Sequence, residues 1–202
     1  IPMEPKAFSI GARIEHRQET VDLAQYGKAR GALPPADYKL SCHLTDGSSA
    51  YTFCMCPGGY VVAAASQTGG IVTNGMSCAA RDGENANAAL LVTVKPEAFP
   101  YPGALGGMLW QEEIEHRAFL AAGHTYRAPA QTVGDFLAHR PSQETGAVTP
   151  SYRPGVTLCD LHDVLPEVLT RTMEQAIPTL DCALSGFAAP QAVLTAPETR
   201  SS

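Results

Sequence analysis

The chain has 202 residues, of which 45% are hydrophobic and 17% are charged, and its formal net charge is −6. This length and composition suit one globular domain, or two small ones, with a core large enough to fold without disulfides, and they exclude a chain that is disordered throughout. The acidic balance, with no cluster of lysines and arginines, argues against a dedicated binder of nucleic acid or of an anionic membrane.

The chain has six cysteines, which are spread along its length and are too sparse for a small disulfide-rich fold. We therefore expect reduced thiols in a cytoplasmic protein. No apolar run approaches the roughly 18 residues of a membrane span, and residues 1–6 lack the basic and then apolar layout of a signal peptide. Neither a membrane nor a nucleic acid is expected as a partner.

The first predicted element is a strand, because apolar and polar residues alternate from Phe8 to His16 with the period of a strand that has one buried face. Arg13 and Glu15 then share the other face. Five further strands are predicted, over residues 37–44, 50–56, 60–66, 70–76 and 88–94. Glycine-rich turns separate several of them, which favours antiparallel neighbours in a sheet of four to six strands.

The pattern changes in the second half of the chain. Apolar residues recur every three or four positions over residues 110–121, which predicts a helix. Thr132 and Asp135 resemble a capping box that opens a short second helix. A third helical stripe covers residues 161–177 and is interrupted at Pro166.

Strands grouped before helices favour an α+β fold over alternating β-α-β units. The prediction is a small, mostly antiparallel sheet followed by a helical region. We expect a mainly β region over residues 1–95, a mainly α region over residues 105–186, and a return segment over residues 187–202 that runs back toward the start of the chain.

Sequence patterns of several enzyme classes are absent. The chain has no Gly-x-Ser-x-Gly nucleophile motif, no Gly-x-Gly-x-x-Gly dinucleotide fingerprint and no Gly-x4-Gly-Lys phosphate loop. Cys54 and Cys56 would share one face of a strand, but they are only one residue apart and lack a second pair of ligands. Because His16, His116 and His139 also lack ligand spacing, no metal site is expected.

Some polar residues allow both a functional and an ordinary interpretation. Arg13, Glu15 and His16 form either a polar face near a substrate or a solvated strand face with an ion pair. Cys54 and Cys56 are either small buried apolar side chains or thiols that line a ligand pocket. Four residues of the first predicted helix are interpreted as its solvent face, namely Glu112, Glu113, Glu115 and His116.

Glycines mark two places where main chain can approach a flat ligand closely, Pro57-Gly58-Gly59 and Asn74-Gly75. The ordinary interpretation of both is a hairpin turn. Asn85 and Asn87 similarly either hydrogen-bond a ligand or serve as turn residues.

Several segments together resemble a bacterial family of FAD-dependent dehydrogenases, in the same order and over nearly the whole chain. These are residues 8–16, 36–40, 52–59, 73–77, 81–83, 85–87, 134–137, 140–142 and 198–202. The matching part of the family is the central substrate or cap domain of a two-domain flavoprotein, inserted between the halves of an FAD-binding domain. The resemblance implies that the glycine motif for FAD lies elsewhere in a longer parent chain.

The resemblance places three segments nearest the flavin ring and assigns no catalytic residue. The residues concerned are Cys54, Met55, Cys56, Pro57, Gly58, Gly59, Asn74, Gly75, Met76, Ser77 and Arg200. Cys78 and Ala79 depart from the family pattern, since members more often carry polar or aromatic residues there.

The function that the resemblance implies is that of the substrate-side domain of an FAD-dependent oxidoreductase. Such a domain covers the flavin ring and forms the pocket for a small-molecule substrate, with the FAD-binding domain of the same parent chain as its partner. In isolation it is expected to be inactive and not to bind FAD tightly. The alternatives are a module that binds a small ligand or a protein without redox chemistry, and a structural domain that pairs with another subunit.

Overall fold

The computed structural model describes residues 3–199, which contain nine strands and four α-helices. The strands are β1 (Phe8–Arg17), β2 (Ser41–His43), β3 (Ser49–Cys56), β4 (Gly59–Ala63), β5 (Thr73–Ser77), β6 (Asn85–Val94), β7 (Ala128–Thr132), β8 (Val156–Leu158) and β9 (Val193–Glu198). The helices are α1 (Gln18–Tyr26), α2 (Gly106–Ala121), α3 (Val133–Leu137) and α4 (Glu167–Asp181).

Seven of the strands form one sheet in the order β2-β3-β6-β1-β9-β7-β8, and β4 and β5 form a separate hairpin. All pairs are antiparallel except β7 and β8. The predicted α+β class with a mostly antiparallel sheet is therefore confirmed.

The sheet is larger than the predicted four to six strands because three of its members carry no clear strand pattern. β9 pairs with β1 within the sheet, so the return segment contributes a strand to its interior. β7 contains a proline, and β8 has only three residues. α1 was also not predicted, and it follows β1 without a connecting loop.

The predicted helices appear with small changes at their ends. The helix predicted over residues 110–121 is α2, and the Thr132 side chain caps α3 by accepting a hydrogen bond of 3.2 Å from the Asp135 amide. Pro166 separates a short 3₁₀ turn, Leu161–Asp163, from α4. The break is expected because proline is accommodated at a helix start and disrupts a helix interior.

The two faces of the seven-stranded sheet differ in chemistry. Ile10, Ala12 and Ile14 of β1 point to one side, where they join a core that contains Leu169 and Met173 of α4. This side is called the apolar face. The alternation predicted for β1 is thereby confirmed.

The opposite side, called the polar face, carries Arg13 and Glu15 of β1 beside Asn85 and Asn87 of β6. All four residues are buried. The hairpin β4–β5 lies over Arg13 and the loop at residues 149–153 lies over Glu15, so these covers exclude water from charged groups inside the fold.

Candidate functional site

Arg13 is the centre of the polar face and is fully buried. Its guanidinium donates to Asn87 Oδ1 at 3.0 Å, to Glu198 Oε2 at 3.2 Å and to the Cys54 carbonyl at 2.8 Å. A buried guanidinium is tolerated only when its donors are paired, and here β3, β6 and β9 each supply a partner to this β1 residue. The interpretation of Arg13 as part of a solvated strand face is therefore wrong.

A β-bulge brings β3 to this arginine. Phe53 pairs with Ala89 and Cys56 pairs with Asn87, so β3 has one residue more than β6 between these pairs. The extra residue turns Cys56 onto the polar face, 3.7 Å from Arg13 Nη2, and leaves Cys54 exposed with φ at +44°. The expectation that Cys54 and Cys56 share a face is wrong, because the bulge breaks the alternation between them.

The Cys56 thiol is buried, which lowers its reactivity. Burial raises its pKa to about 11, although the Arg13 charge opposes that shift. A thiol with such a pKa stays protonated at neutral pH, and the thiolate is the nucleophilic form. Cys56 therefore packs the site instead of attacking a substrate.

The glycines singled out in the sequence approach other parts of the chain itself. A Cβ atom at Gly75 would overlap the Arg13 guanidinium, and one at Gly58 would overlap the Arg81 carbonyl. At Gly59 a Cβ atom would come within 2.5 Å of the Met76 carbonyl oxygen. The flat group that main chain covers at Gly75 is thus a side chain of this fold.

Glu15 is the second buried ionisable group of the polar face. It accepts hydrogen bonds from Asn85 Nδ2 at 3.1 Å, from the Ser151 amide at 3.2 Å and from the Ser151 hydroxyl. Burial raises the pKa of Glu15, against the effects of Ser151, Asn85 and the Arg13 charge. A buried carboxyl with a raised pKa keeps its proton to a higher pH than a free carboxyl does, which is a property that general acids and bases use.

A cleft of about 620 Å³ opens above this carboxyl group. Asn85 and Ser151, the two partners of Glu15, both line it, together with Tyr60, Glu84 and Arg153. Among the described residues the buried Oδ1 atom of Asn85 has no hydrogen-bond partner. The cleft is therefore lined by the charged side chains of Glu84 and Arg153 and by both partners of a buried carboxyl group.

Residues 54–59 and 74–77, which the family resemblance places near the flavin, lie next to each other in the structure. Ser77 donates to the Pro57 carbonyl at 2.9 Å, and Gly59 pairs with Ser77 in the hairpin β4–β5. Gly59 also lines the cleft, so the first segment borders it, and the second segment is joined to the first through the hairpin. Met76 is 55% exposed. Arg200 lies outside the described residues.

The remaining members of these segments are partly buried. Met55 packs against the apolar core, and Asn74 Oδ1 accepts a hydrogen bond from the amide of Gly75, as in a local turn. The exposed residues of the two segments are Cys54 and Met76, and Phe53, which precedes Cys54 in β3, is 43% exposed. This surface carries no charge.

Two further predictions about polar residues are wrong. His16 does not lie with Arg13 and Glu15, because the alternation of β1 turns it to the apolar side, where its Nε2 lies 2.8 Å from the Phe187 carbonyl. Burial lowers the pKa of His16, which favours a neutral ring. Glu115 is buried instead of facing solvent, and it accepts a bond of 2.6 Å from the Thr199 hydroxyl.

Ser151 is the site residue that sequence reasoning missed. It belongs to a segment without strand or helix pattern, and its partner Glu15 is 136 positions earlier in the chain. No local signal in residues 149–153 marks them as part of a site. The only indication was indirect, namely a polar side chain at Glu15 in an otherwise strand-like run.

These features define a class of protein, an α+β domain with a buried charged layer beneath an open cleft. A model of the family described as "FAD-dependent protein, C-terminal domain-like" matches residues 7–201, and the chain belongs to this family. The resemblance to an FAD-dependent family is thereby confirmed, and dehydrogenase activity and a central, inserted position in the parent chain stay predictions.

An uncharacterized protein of Clostridium beijerinckii is 45% identical to the chain over 205 residues. The alignment covers 100% of the chain and 38% of that relative, so the chain spans well under half the length of the curated relative it matches. Over residues 3–199 no helix is long and apolar enough to cross a membrane.

Proposed function

We propose that the chain is the substrate-side domain of an FAD-dependent oxidoreductase of the dehydrogenase type. In this proposal it covers the flavin ring and forms the substrate pocket of a longer parent chain. The observation that carries the proposal is the meeting of residues 54–59 and 74–77 around Arg13, next to a cleft that Gly59 lines, in a member of an FAD-dependent family.

The described residues fit the ring of the cofactor better than its phosphates. Other parts of the chain occupy the space beside Gly58, Gly59 and Gly75, so a phosphate group cannot approach the main chain there. The sequence also has no dinucleotide fingerprint. The uncharged surface of Phe53, Cys54 and Met76 suits a flat, largely apolar ring. The phosphates would then be held by the rest of the parent, as the dinucleotide fold requires.

FAD, when bound, supplies transfer of a hydride or electrons. In this proposal the residues of the chain orient the substrate and exclude water. The cleft binds the substrate through Asn85 and Arg153, and Glu15 holds a proton beneath them, with the Ser151 hydroxyl between this carboxyl group and the cleft. Arg13 fixes the bulge of β3 that presents Cys54 at the surface.

The surface around the chain ends supports a docked FAD-binding domain as the partner. Gly11 of β1 pairs with Glu198 of β9, so the two strands enter and leave the sheet at the same end. At the start of α2 three large apolar side chains are 42–49% exposed, namely Leu105, Met108 and Leu109. Gln111, one turn further along α2, donates to the Thr199 carbonyl, so this apolar surface lies near the end of the described chain. An interdomain interface there would remove it from water.

The test uses the longer parent polypeptide. Purified with FAD, it should show bound-flavin absorbance, and Phe53→Gln and Met76→Gln should shift that spectrum and expose the flavin to quenching by iodide. The melting temperature should hardly change, since both side chains are exposed. Val168→Gln is the matched control, because Val168 is 45% exposed on α4 on the other side of the sheet. Equal spectra in all three variants would overturn the proposed cover.

A second candidate function is a small-ligand binding module without redox chemistry. The cleft favours it, because its volume and its polar atoms do not depend on a flavin. A parent polypeptide that purifies without colour and leaves added FAD unquenched would support this candidate and contradict the first.

A further inference from the structure

His139, His162 and Glu174 come together outside the polar face, on three different parts of the chain. His139 follows α3, His162 lies in the 3₁₀ turn before α4, and Glu174 lies in α4. One ligand atom from each lies within 4.8 Å of the others. We propose that these three side chains bind a divalent transition-metal ion of the zinc type, with a fourth position open to solvent.

The distances from the carboxylate to the two imidazoles are close to those of a two-histidine, one-carboxylate site. Glu174 Oε1 lies 2.7 Å from His162 Nε2 and 3.4 Å from His139 Nε2. Zinc–nitrogen and zinc–oxygen bonds of about 2.0–2.2 Å place tetrahedral ligand atoms about 3.3 Å apart. The contact to His139 already has that spacing, and the contact to His162 needs to open by roughly half an ångström.

A hydrogen-bond network orients His162 for this role. Asp160 Oδ1 lies 2.6 Å from His162 Nδ1, which keeps the proton on that nitrogen and leaves Nε2 directed at Glu174. Asp160 is in turn contacted by Gln131, a fully buried residue that also accepts from the Leu161 amide at 2.8 Å. A carboxylate behind a metal-binding imidazole is the usual support of such sites.

Ring packing holds the two imidazoles face to face. The His162 ring stacks on Phe136 at 4.6 Å and on His139 at 4.5 Å. The left-handed backbone at His139, with φ at +51°, turns its side chain onto this stack. Two stacked imidazolium ions would repel each other, whereas a metal ion uses both rings in their neutral form.

The site is accessible to a metal ion. The side chain of His139 is 63% exposed, so its ring can turn toward the ion without disturbing the core. His162 and Glu174 are each about one-fifth exposed. Nothing in the sequence indicated this cluster, because its members are separated by 23 and 12 positions, which is no short ligand motif, and the sequence prediction was that no metal site exists.

The competing occupant is a proton. An imidazolium at His162 shared between Asp160 and Glu174 would also satisfy these distances. The two occupants differ in what they require of His139, because an ion pair at His162 does not need this exposed ring. His139 is therefore the residue whose removal separates them.

Titration of the metal-free 202-residue chain with cobalt(II) tests the proposal. We expect one ion per chain, the intense visible absorption of a four-coordinate site, and displacement by zinc. His139→Gln and Glu174→Gln should each weaken cobalt binding by more than about 100-fold, and Asp160→Asn by about 10-fold. The matched controls His43→Gln, an exposed histidine on β2, and Glu167→Gln, an exposed carboxylate on α4, should bind as wild type does.

Three results would overturn the proposal. One is no cobalt binding, which leaves the proton as the occupant. Another is binding that persists unchanged in His139→Gln and Glu174→Gln. The third is a near-ultraviolet thiolate-to-cobalt band, which would assign the ion to the cysteines. Circular dichroism of each variant shows whether it is folded.

Discussion

The two faces of the seven-stranded sheet are both buried, but they are built differently. On the apolar face Ile10, Ala12 and Ile14 contact other hydrocarbon side chains, while on the polar face Arg13 and Glu15 contact amides, carbonyls and a carboxylate. The same strand supplies both sets, at alternate positions. The two sets of side chains are therefore equally buried and differ only in their chemistry.

The apolar face mainly stabilises the fold, whereas the polar face mainly determines how the strands are positioned. A fully buried aliphatic side chain contributes about 1.5–3 kcal/mol to folding through contacts that have no preferred direction. A buried charge costs several kcal/mol and is offset only when each of its partners is in place. The polar face thus fixes the relative positions of β1, β3, β6 and β9 and the bulge at Cys54, which is the geometry that a binding surface requires.

The largest effect is expected from removing the guanidinium of the polar face. Arg13→Met should lower the free energy of unfolding by about 3–5 kcal/mol, because Glu198 would be left as an uncompensated buried charge. Urea denaturation followed by circular dichroism measures the change. The double variant Arg13→Met with Glu198→Met should recover part of the loss, and a double variant as unstable as the sum of both single variants would show that the two side chains are not coupled.

On the apolar face the corresponding experiment removes a contact of α4. Leu169→Ala should lower the free energy of unfolding by about 2–5 kcal/mol, since Leu169 is fully buried and the cavity can collapse only in part. Its neighbour Val168 is 45% exposed, and Val168→Ala should change stability by no more than about 0.5 kcal/mol. The flavin spectrum of the parent should be the same in both variants. A shift in Leu169→Ala alone would mean that the apolar face also shapes the site.

The apolar face was predictable from the sequence because its signals are local. Alternation in β1 and the stripe of α4 are periods of two and of 3.6 residues, which a short window reveals. The cap at Thr132 and the break at Pro166 depend only on residues within one turn of the helix. Such features need no knowledge of the rest of the fold.

The polar face was only partly predictable because its partners are far apart in sequence. Arg13 and Glu198 are separated by 185 positions, and Glu15 and Ser151 by 136. The bulge at Cys54 moves Cys56 to the other side without any marker in the sequence. Glu115 has helical spacing that fits a solvent face, but Thr199 approaches it from another part of the chain.

A smaller effect is expected from the charge of Glu15, and it depends on pH. Because burial raises the pKa of Glu15 above 4.5, the stability that this group contributes is present below that pH and is lost as the pH rises through its folded-state pKa. Glu15→Gln carries no charge. As the pH rises, the unfolding free energy of wild type should therefore fall relative to that of Glu15→Gln.

Asp135 provides the opposite sign for comparison. The Ser142 hydroxyl, ahead of the Arg140 and Thr132 contacts, lowers the pKa of Asp135 below 3.8, so its contribution is present above that pH and is lost as the pH falls through its folded-state pKa. As the pH rises, the unfolding free energy of wild type should rise relative to that of Asp135→Asn. Denaturation series over the acid range measure both slopes, and equal signs would contradict the assignment of Glu15.

The smallest effect concerns two threonines that are both fully buried. The Thr195 hydroxyl, on the polar face beside Arg13, has no hydrogen-bond partner among residues 3–199, whereas the Thr73 hydroxyl donates to the Pro197 carbonyl at 2.9 Å. Thr195→Val removes an unpaired polar atom, so it should leave the unfolding free energy unchanged or raise it by up to about 1 kcal/mol.

Thr73→Val makes the same change of shape but leaves a carbonyl without its donor, and it should lower the unfolding free energy by about 1 kcal/mol. Opposite signs in thermal or urea denaturation would show that the polar face tolerates loss of an unpaired hydroxyl and resists loss of a paired one. A loss in Thr195→Val as large as that in Thr73→Val would mean that the Thr195 hydroxyl has a partner in solution. In the parent polypeptide, a loss that appears only with FAD bound would place that partner at the flavin site.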